Sequence, residues 1–379
     1  MTSELSSLCS YAKGKVSVDT LSKRNYVSTE NMMPNKGGIV DAGALPSAQY
    51  TQQYIKDDIL VSNIRPYFKK IWMADDDGGC SNDVLVFRAD RGCDSTFLYY
   101  ILANDAFFNY ASATSKGTKM PRGDKTAIMQ YKVPCFNYET QLRIGKLLRS
   151  IDDRIAVNKK INDNLQQQLF SLYENMATAS PCLKEYTLSN LCDFQEGYVN
   201  PPQTHPEYFD GEVKWLRAVD INESFIIETS RTLTKAGFES AKKSALLFEP
   251  NTIAISKSGT IGRLGIIADY MCGNRAVINI APHDTNMLAF IYCFLKSKQR
   301  EFPDMAVGSV QKNLYVSLLE PLSVSIPDNE SLTAFNAVGA PILGMIHNNC
   351  VENTDLANLR DTILPKLMSG EIDVSSVLL

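Results

Sequence analysis

Three histidines in 379 residues leave little general-base capacity. No P-loop, HExxH, GxSxG or nucleotide-binding glycine fingerprint is present either, so self-contained catalysis is not expected. The nine cysteines are odd in number and never closer than the ten positions between Cys182 and Cys192, which argues against both a CxxC zinc knuckle and a disulfide framework. No metal site is expected, and a reducing cytoplasm suits such thiols. No run approaches the roughly twenty apolar residues of a membrane span, and the start carries no basic-then-apolar export pattern, so no membrane partner is expected. The net charge of −4 lacks the cationic excess with which a nucleic-acid binder neutralises phosphates. Any such surface must concentrate its cations locally or borrow them from partners. What is present is ordinary for a globular chain: 44% hydrophobic and 21% charged residues, at a length that suits two domains.

Self-comparison reveals an internal repeat. Leu5, Ser6, Leu8, Cys9 and Gly14 are matched by Leu188, Ser189, Leu191, Cys192 and Gly197, each 183 positions on. Ile59 and Ser62 match Ile253 and Ser256 at 194, and Cys80 and Asn82 match Cys272 and Asn274 at 192. Gly117 and Pro134 match Gly308 and Pro327 at 191 and 193, so the repeat covers nearly the whole chain. An insertion of about ten residues near the proline-rich run 200–206 accounts for the drift. Apolar runs at 59–61, 84–87, 253–255 and 277–280 predict strands. One apolar helix per copy is predicted, over 96–110 and 287–300, so each globular part of about 130 residues reads as α/β or α+β.

Beyond each globular part the pattern becomes helical. Ile144, Leu148, Ile151, Ile155, Asn158, Asn162, Leu165, Leu169, Leu172 and Met176 step by fours and threes, the seam of a coiled coil. Ile342, Met345, Asn349, Glu352, Leu356, Leu359 and Ile363 repeat it, with Pro341 and Pro365 implying a helix start and a kink or end. A helix of about 35 residues is roughly 50 Å long and must project from a domain of that size. Two such helices bury their seams by running antiparallel, which gives a pseudo-twofold arrangement with the mid-seam asparagines near the axis.

Basic and polar clusters recur at equivalent places. Arg65, Lys69 and Lys70 follow the first copy's strand, and Lys116, Lys119, Arg122 and Lys125 sit in a glycine-punctuated loop. In the second copy Lys257, Ser258, Thr260 and Arg263 occupy the strand exit, and Gln311, Lys312 and Asn313 the loop. These side chains suit phosphate contacts and base-edge hydrogen bonds, and the glycines permit close backbone approach. Asn200-Pro201-Pro202-Gln203 is similar to the catalytic motif of amino-methyltransferases, but Gln203 stands where an aromatic must stack on the flipped base, so the segment reads as a loop. Glu207, Glu212 and Lys214 mimic a nuclease acid cluster and read as a surface turn. His205, His283 and His347 read as structural or solvated.

Taken together, the two-copy layout, the exit Ile253-Ala254-Ile255-Ser256-Lys257-Ser258-Gly259-Thr260-Ile261-Gly262, the loop Gly308-Ser309-Val310-Gln311-Lys312-Asn313-Leu314 and the closing Leu364-Pro365-Lys366-Leu367-Met368-Ser369-Gly370-Glu371-Ile372 resemble the specificity subunits of type I restriction-modification systems. The first copy departs from the pattern, with Ile64-Arg65-Pro66 where Ser258-Gly259-Thr260 stands in the second. The resemblance implies a non-catalytic subunit of two target-recognition domains, 1–137 and 181–327, with a first spacer helix at 138–180 and a second spacer helix with a C-terminal tail at 328–379. Each domain would read half of a bipartite, asymmetric double-stranded DNA site. The helix pair, through Ile151, Ile155, Asn158, Asn162, Leu165, Met345, Asn349, Leu356 and Leu359, would act as a ruler and dock two methyltransferase subunits. Those partners would bring S-adenosylmethionine, and the resemblance leaves room for a restriction subunit using ATP and Mg. This chain would bind no cofactor itself. An autonomous DNA amino-methyltransferase and a coiled-coil scaffold are the alternatives; the missing cofactor loop weighs against the first and two divergent globular domains against the second.

Overall fold

Continuous apolar runs become strands because their sheets are covered on both faces. In the computed structural model, which describes residues 2–179, 184–309 and 311–374, the strand Ile59–Ser62 is buried at every position. Ile59 and Val61 join one apolar cluster, while Leu60 joins another with Val84 and Val86. Ile253–Ser256 repeats this division, with Ile253 and Ile255 in one cluster and Ala254 in another. Cys182, Val310 and the expected boundary at 180/181 lie outside the described residues.

The chain divides into two units, Met1–Asp153 with Ala357–Leu379, and Arg154–Leu356. In the first, an antiparallel sheet runs in the order Cys9–Tyr11, Val84–Ala89, Ile59–Ser62, Ile71–Met73. A second sheet runs Lys15–Ser17, Tyr50–Tyr54, Gly78–Cys80, Tyr26–Val27, its last pair parallel. The other unit repeats the first order as Cys192–Glu196, Val277–Pro282, Ile253–Ser256, Leu264–Ile267 and adds Phe225–Ile226 at the edge. The ladders agree: Ile59 faces Phe87 as Ile253 faces Ile280.

Four local expectations change. The extra residues of the second copy are not one insertion near 200–206. Val27 pairs in parallel with Cys80, and Trp215 with Cys272, so these two positions correspond at a spacing of 188, midway between 183 and 194. About half of the added chain therefore follows Trp215. The helix expected over 96–110 is two helices, Ser95–Ala103 and Asp105–Ala113, because Asn104 is extended and its side chain accepts from Ala106 N at 2.9 Å, capping the second. The equivalent segment of the second copy is likewise broken, into the helices Leu288–Lys298 and Phe302–Met305. Glu212 and Lys214 lie on the strand Phe209–Leu216 rather than a turn, and Lys214 Nζ is held by Asp269 at 2.9 Å and Glu228 at 3.3 Å.

The fourth change concerns the long helices, Tyr138–Ala179 and Asn329–Ser369. Neither Pro341 nor Pro365 interrupts the second one. Both are exposed, so the carbonyls that lose an amide partner four residues earlier can be hydrated. The helices pair antiparallel in the Arg154–Leu356 unit, where Asn158 bonds Glu352 (2.8 Å) and Asn353 (3.1 Å), and Asn162 bonds Asn349 (2.8 Å) and the Ile346 carbonyl (3.4 Å). Gly339 permits the approach: a Cβ there would lie 3.2 Å from Leu169. In the other unit Arg360 bonds Asp152 at 2.5 Å, and Ile144, Leu148, Leu364 and Leu367 share one buried cluster. Most of the second helix's expected seam is in place, with Ile342 buried and Asn349 and Glu352 bonded across the pair, but two of its positions are not. Ile346 is buried where Met345 was expected, and Met345 and Leu359 are 47% and 50% exposed.

Candidate nucleic-acid interface

Each copy folds its strand exit into a tight turn and hydrogen-bonds a glycine loop onto it. In the second copy Ser256 Oγ donates to the Thr260 carbonyl and accepts from Arg263 N at 2.9 Å, closing the turn that Gly259 and Gly262 allow at φ 78° and 85°. The loop is pinched by reciprocal backbone bonds between Val307 and Asn313, at 3.0 and 2.9 Å. Gly308 is required there: at φ 143°, a Cβ would lie 2.1 Å from the Gln311 carbonyl oxygen. Leu314 N then donates to the Lys257 carbonyl at 2.9 Å, docking loop on turn.

The first copy uses the same construction. Lys116 and Arg122 exchange backbone bonds of 2.8 and 2.9 Å around Gly117, and Arg65 N and Gly123 N bond the Pro121 and Asn63 carbonyls at 2.8 and 3.2 Å. In place of glycines, its exit holds Arg65 and Lys69 in left-handed conformation, φ 50° and 52°, a strain of about 1–3 kcal/mol per residue.

The expected contact residues are brought together at these turns but are not all presented alike. Arg65 is half-buried with its Nε unpartnered, and Lys119, Arg263 and Lys312 are exposed and make no ion pair among the described residues. Ser258, Thr260, Gln311 and Asn313 stand at the two loop tips of the second copy, the Asn313 amide donating to the Gln311 carbonyl at 3.1 Å. Lys116 and Arg122 remain at the surface, paired with Asp124 (2.6 Å) and Asp83 (3.0 Å); the Asp124 hydrogen bond raises the pKa of Lys116. Such surface pairs are readily exchanged for phosphate. Three residues are held by other groups of the protein instead. Lys69 bonds Asp105 at 2.8 Å, and Lys70 donates to the Thr29 carbonyl at 2.6 Å while burial lowers its pKa. Lys257 sits between both carboxylate oxygens of Glu196, each at 2.9 Å, and 4.8 Å from the Tyr315 ring.

Glu196 and Tyr315 carry no local signal, which is why Lys257 reads as free in the sequence. With its side chain only 13% exposed, Lys257 is a strut between the first strand of the sheet and the docked loop. Lys257→Ala leaves the Glu196 carboxylate without its counter-charge and is expected to lower stability by about 2–3 kcal/mol in urea unfolding. A loss below about 0.5 kcal/mol would show the strut to be idle.

The decoy residues have other partners. Gln203 accepts from Arg231 at 3.0 Å, His205 meets Glu207 at 2.8 Å, His283 meets Asp193 at 3.2 Å, and His347 lies 4.9 Å from the Phe225 ring. No described helix is long and apolar enough to cross a membrane.

Two copies of one sheet-and-loop unit, each displaying polar and cationic tips and each using parts of two long helices, define a duplicated recognition protein. The family model described as type I restriction modification DNA specificity domain matches residues 1–167 and 183–333, and the chain belongs to that family. It is 24% identical over 308 residues to the MjaIX specificity subunit of Methanocaldococcus jannaschii, covering 76% of this chain and 71% of that one. It is 26% identical over 176 residues to the HindI specificity subunit of Haemophilus influenzae, covering 45% of this chain and 38% of the relative. The fold is similar to the crystal structure of a type I restriction-modification S subunit from M. genitalium, with a TM-score of 0.57 at 18% identity over 97% of this chain and 96% of that one.

Proposed function

We propose that this chain is the DNA-reading subunit of a type I restriction-modification complex, each copy reading one half of a bipartite, asymmetric duplex site. The observation that carries this reading is the repeated docking of a glycine loop onto a strand exit, with different side chains at the tips of the two copies. A shared scaffold with divergent tips suits two different short sequences, since phosphate contacts position a protein and base contacts specify. The recognition domains are 1–137 and 181–327. Arg65, Lys119, Arg263 and Lys312 meet the duplex together with Ser258, Thr260, Gln311 and Asn313, while Lys69, Lys70 and Lys257 hold the loops in place. The helices Tyr138–Ala179 and Asn329–Ser369 serve as ruler and as dock for two methyltransferase subunits. Those subunits bring S-adenosylmethionine, and a restriction subunit using ATP and Mg is a further partner.

The test combines purified chain, methyltransferase subunits, methyl donor and genomic DNA. Methylation of one bipartite motif is expected only when chain and subunits are both present. Methyl transfer by the chain alone, abolished by Asn200→Ala, would replace this reading with an autonomous methyltransferase. Assembly without any effect of the chain on DNA binding would leave a scaffold.

A further inference from the structure

The segments in which the second copy is longer than the first converge on one cleft. Gly14 and Val27 are 13 positions apart where Gly197 and Trp215 are 18 apart, and Val27 and Ile59 are 32 apart where Trp215 and Ile253 are 38 apart. The turn before the strands Val84–Ala89 and Val277–Pro282 also grows by one residue in the second copy. Cys80 precedes Val84 by four, Cys272 precedes Val277 by five, and Asp83 and Ala276 both accept from the strand exit, through Asn63 N at 2.8 Å and Lys257 N at 2.7 Å. Arg275 lies in the lengthened turn. Tyr198, Asn200, His205, Tyr208, Ser244 and Arg275 line a polar cleft of about 450 Å³ drawn from all three segments.

The chemistry of the cleft favours an anionic, base-bearing ligand. Arg275 is exposed and its guanidinium makes no hydrogen bond or ion pair among the described residues, and Lys242 and Lys243 stand exposed on the turn that ends in Ser244. The carboxylates bonded to its lining are already engaged, Glu196 with Tyr198 (3.0 Å) and Lys257, and Glu207 with His205. His205 stacks on Tyr208 at 4.9 Å, which makes a rigid wall, and the Asn200 amide offers a donor and an acceptor that have no partner among the described residues. The cleft is also continuous with the docked loop: Tyr198 reaches Glu196, Glu196 reaches Lys257, and Lys257 reaches both Tyr315 and the backbone of Leu314.

We propose that this cleft is a second DNA-contact site, specific to the second recognition domain, in which Arg275 grips a backbone phosphate and Asn200 reads a base edge. The proposal rests on the DNA-reading function above and extends it to residues outside the strand-exit and glycine loops. A guanidinium is suited to phosphate as a two-pronged donor, and an asparagine amide can pair with the major-groove edge of adenine.

The test uses the full chain assembled with its methyltransferase subunits. Binding to the methylated motif's duplex is measured across a salt series, and the motif is read by methylome sequencing. Arg275→Ala is expected to weaken binding roughly tenfold and to lower the salt slope by about one, while Arg275→Lys keeps the slope. Asn200→Ala is expected to relax one base position in the second half-site and none in the first. Melting curves should match wild type for both alanine variants, since neither side chain makes a bond among the described residues. Wild-type affinity and slope in Arg275→Ala, or an altered first half-site in Asn200→Ala, would overturn the proposal. A wild-type complex with no sequence preference at all would instead sink the DNA-reading assignment, and this site with it.

Discussion

Replacing residues 184–326 with the matching segment of a relative is expected to change one half of the methylated motif and leave the other half intact. The cut points follow from the two-stranded ladder in which Lys184–Thr187 pairs with Ser323–Ile326. Exchanging the whole ladder keeps its register, together with the bonds from Ser323 and Ser325 to Glu185. The sheet faces travel as a unit because the clusters around Ile253, Ala254 and Trp215 draw mostly on residues inside the exchanged segment. What stays behind is helical: Leu169, Tyr173, Phe335, Ile342, Leu343 and Ile346 complete the largest of those clusters. The donor must therefore present apolar residues of similar volume at Leu288, Phe290 and Ile291, where Phe290 meets Tyr173 at 5.5 Å. Each mismatched base pair costs about 1–3 kcal/mol, so a half-site changed at several positions shifts preference at least about a hundredfold. Methylome sequencing reads the result. Simultaneous change in both halves would mean that the copies do not read independently.

Leu364→Ala combined with Leu367→Ala is expected to unfold the unit built on residues 1–153. These side chains are 5% and 0% exposed and sit in one cluster with Leu98, Ile101, Ile144 and Leu148. A buried leucine truncated to alanine costs about 2–5 kcal/mol, against a total of about 5–15 kcal/mol for a domain. Two losses in one helical turn take most of that margin. Met345→Ala and Leu359→Ala provide the contrast: both side chains are about half exposed, and each change should stay within about 0.5 kcal/mol. Urea titration followed by circular dichroism, with limited proteolysis to locate the opened unit, separates the cases. If Leu359→Ala costs as much as Leu364→Ala, the seam lies on the face that the simple heptad count indicates.

That contrast also marks where the sequence stops being legible. Strands at 59–62, 84–89, 253–256 and 277–282 are readable because both faces of each sheet are covered, so hydrophobicity is continuous and turn residues bound it. The first helix's seam is equally plain, since Ile144, Leu148, Asn158, Asn162 and Leu169 are all buried. The second helix carries two overlapping apolar stripes, Met345 with Leu359 and Ile346 with Leu364, and only packing chooses between them. At the candidate interface the repeat located both loops, but the fate of a given lysine depended on acids far away in the chain: Asp105 for Lys69, Glu196 for Lys257. Arg275 was invisible for a different reason. Residues that line a cleft from three lengthened segments form no motif, and the repeat is interrupted at those places.

The unit that takes Met1–Asp153 also takes Ala357–Leu379, whereas the other is a single stretch, Arg154–Leu356. On the ribosome this inverts the usual order, in which the part made first folds first. The first sheet emerges with Leu5, Val133 and Ile144 in place but without Leu364, Leu367 and Val374, which belong to the same cluster. Roughly 200 residues, or about 10–40 seconds of translation, separate the two contributions. During that interval the second-made unit can close while the first-made one waits with apolar surface uncovered. Arrival of residues 357–374 is thus itself a folding step, and a nascent chain stalled near residue 356 should be the species most in need of a chaperone.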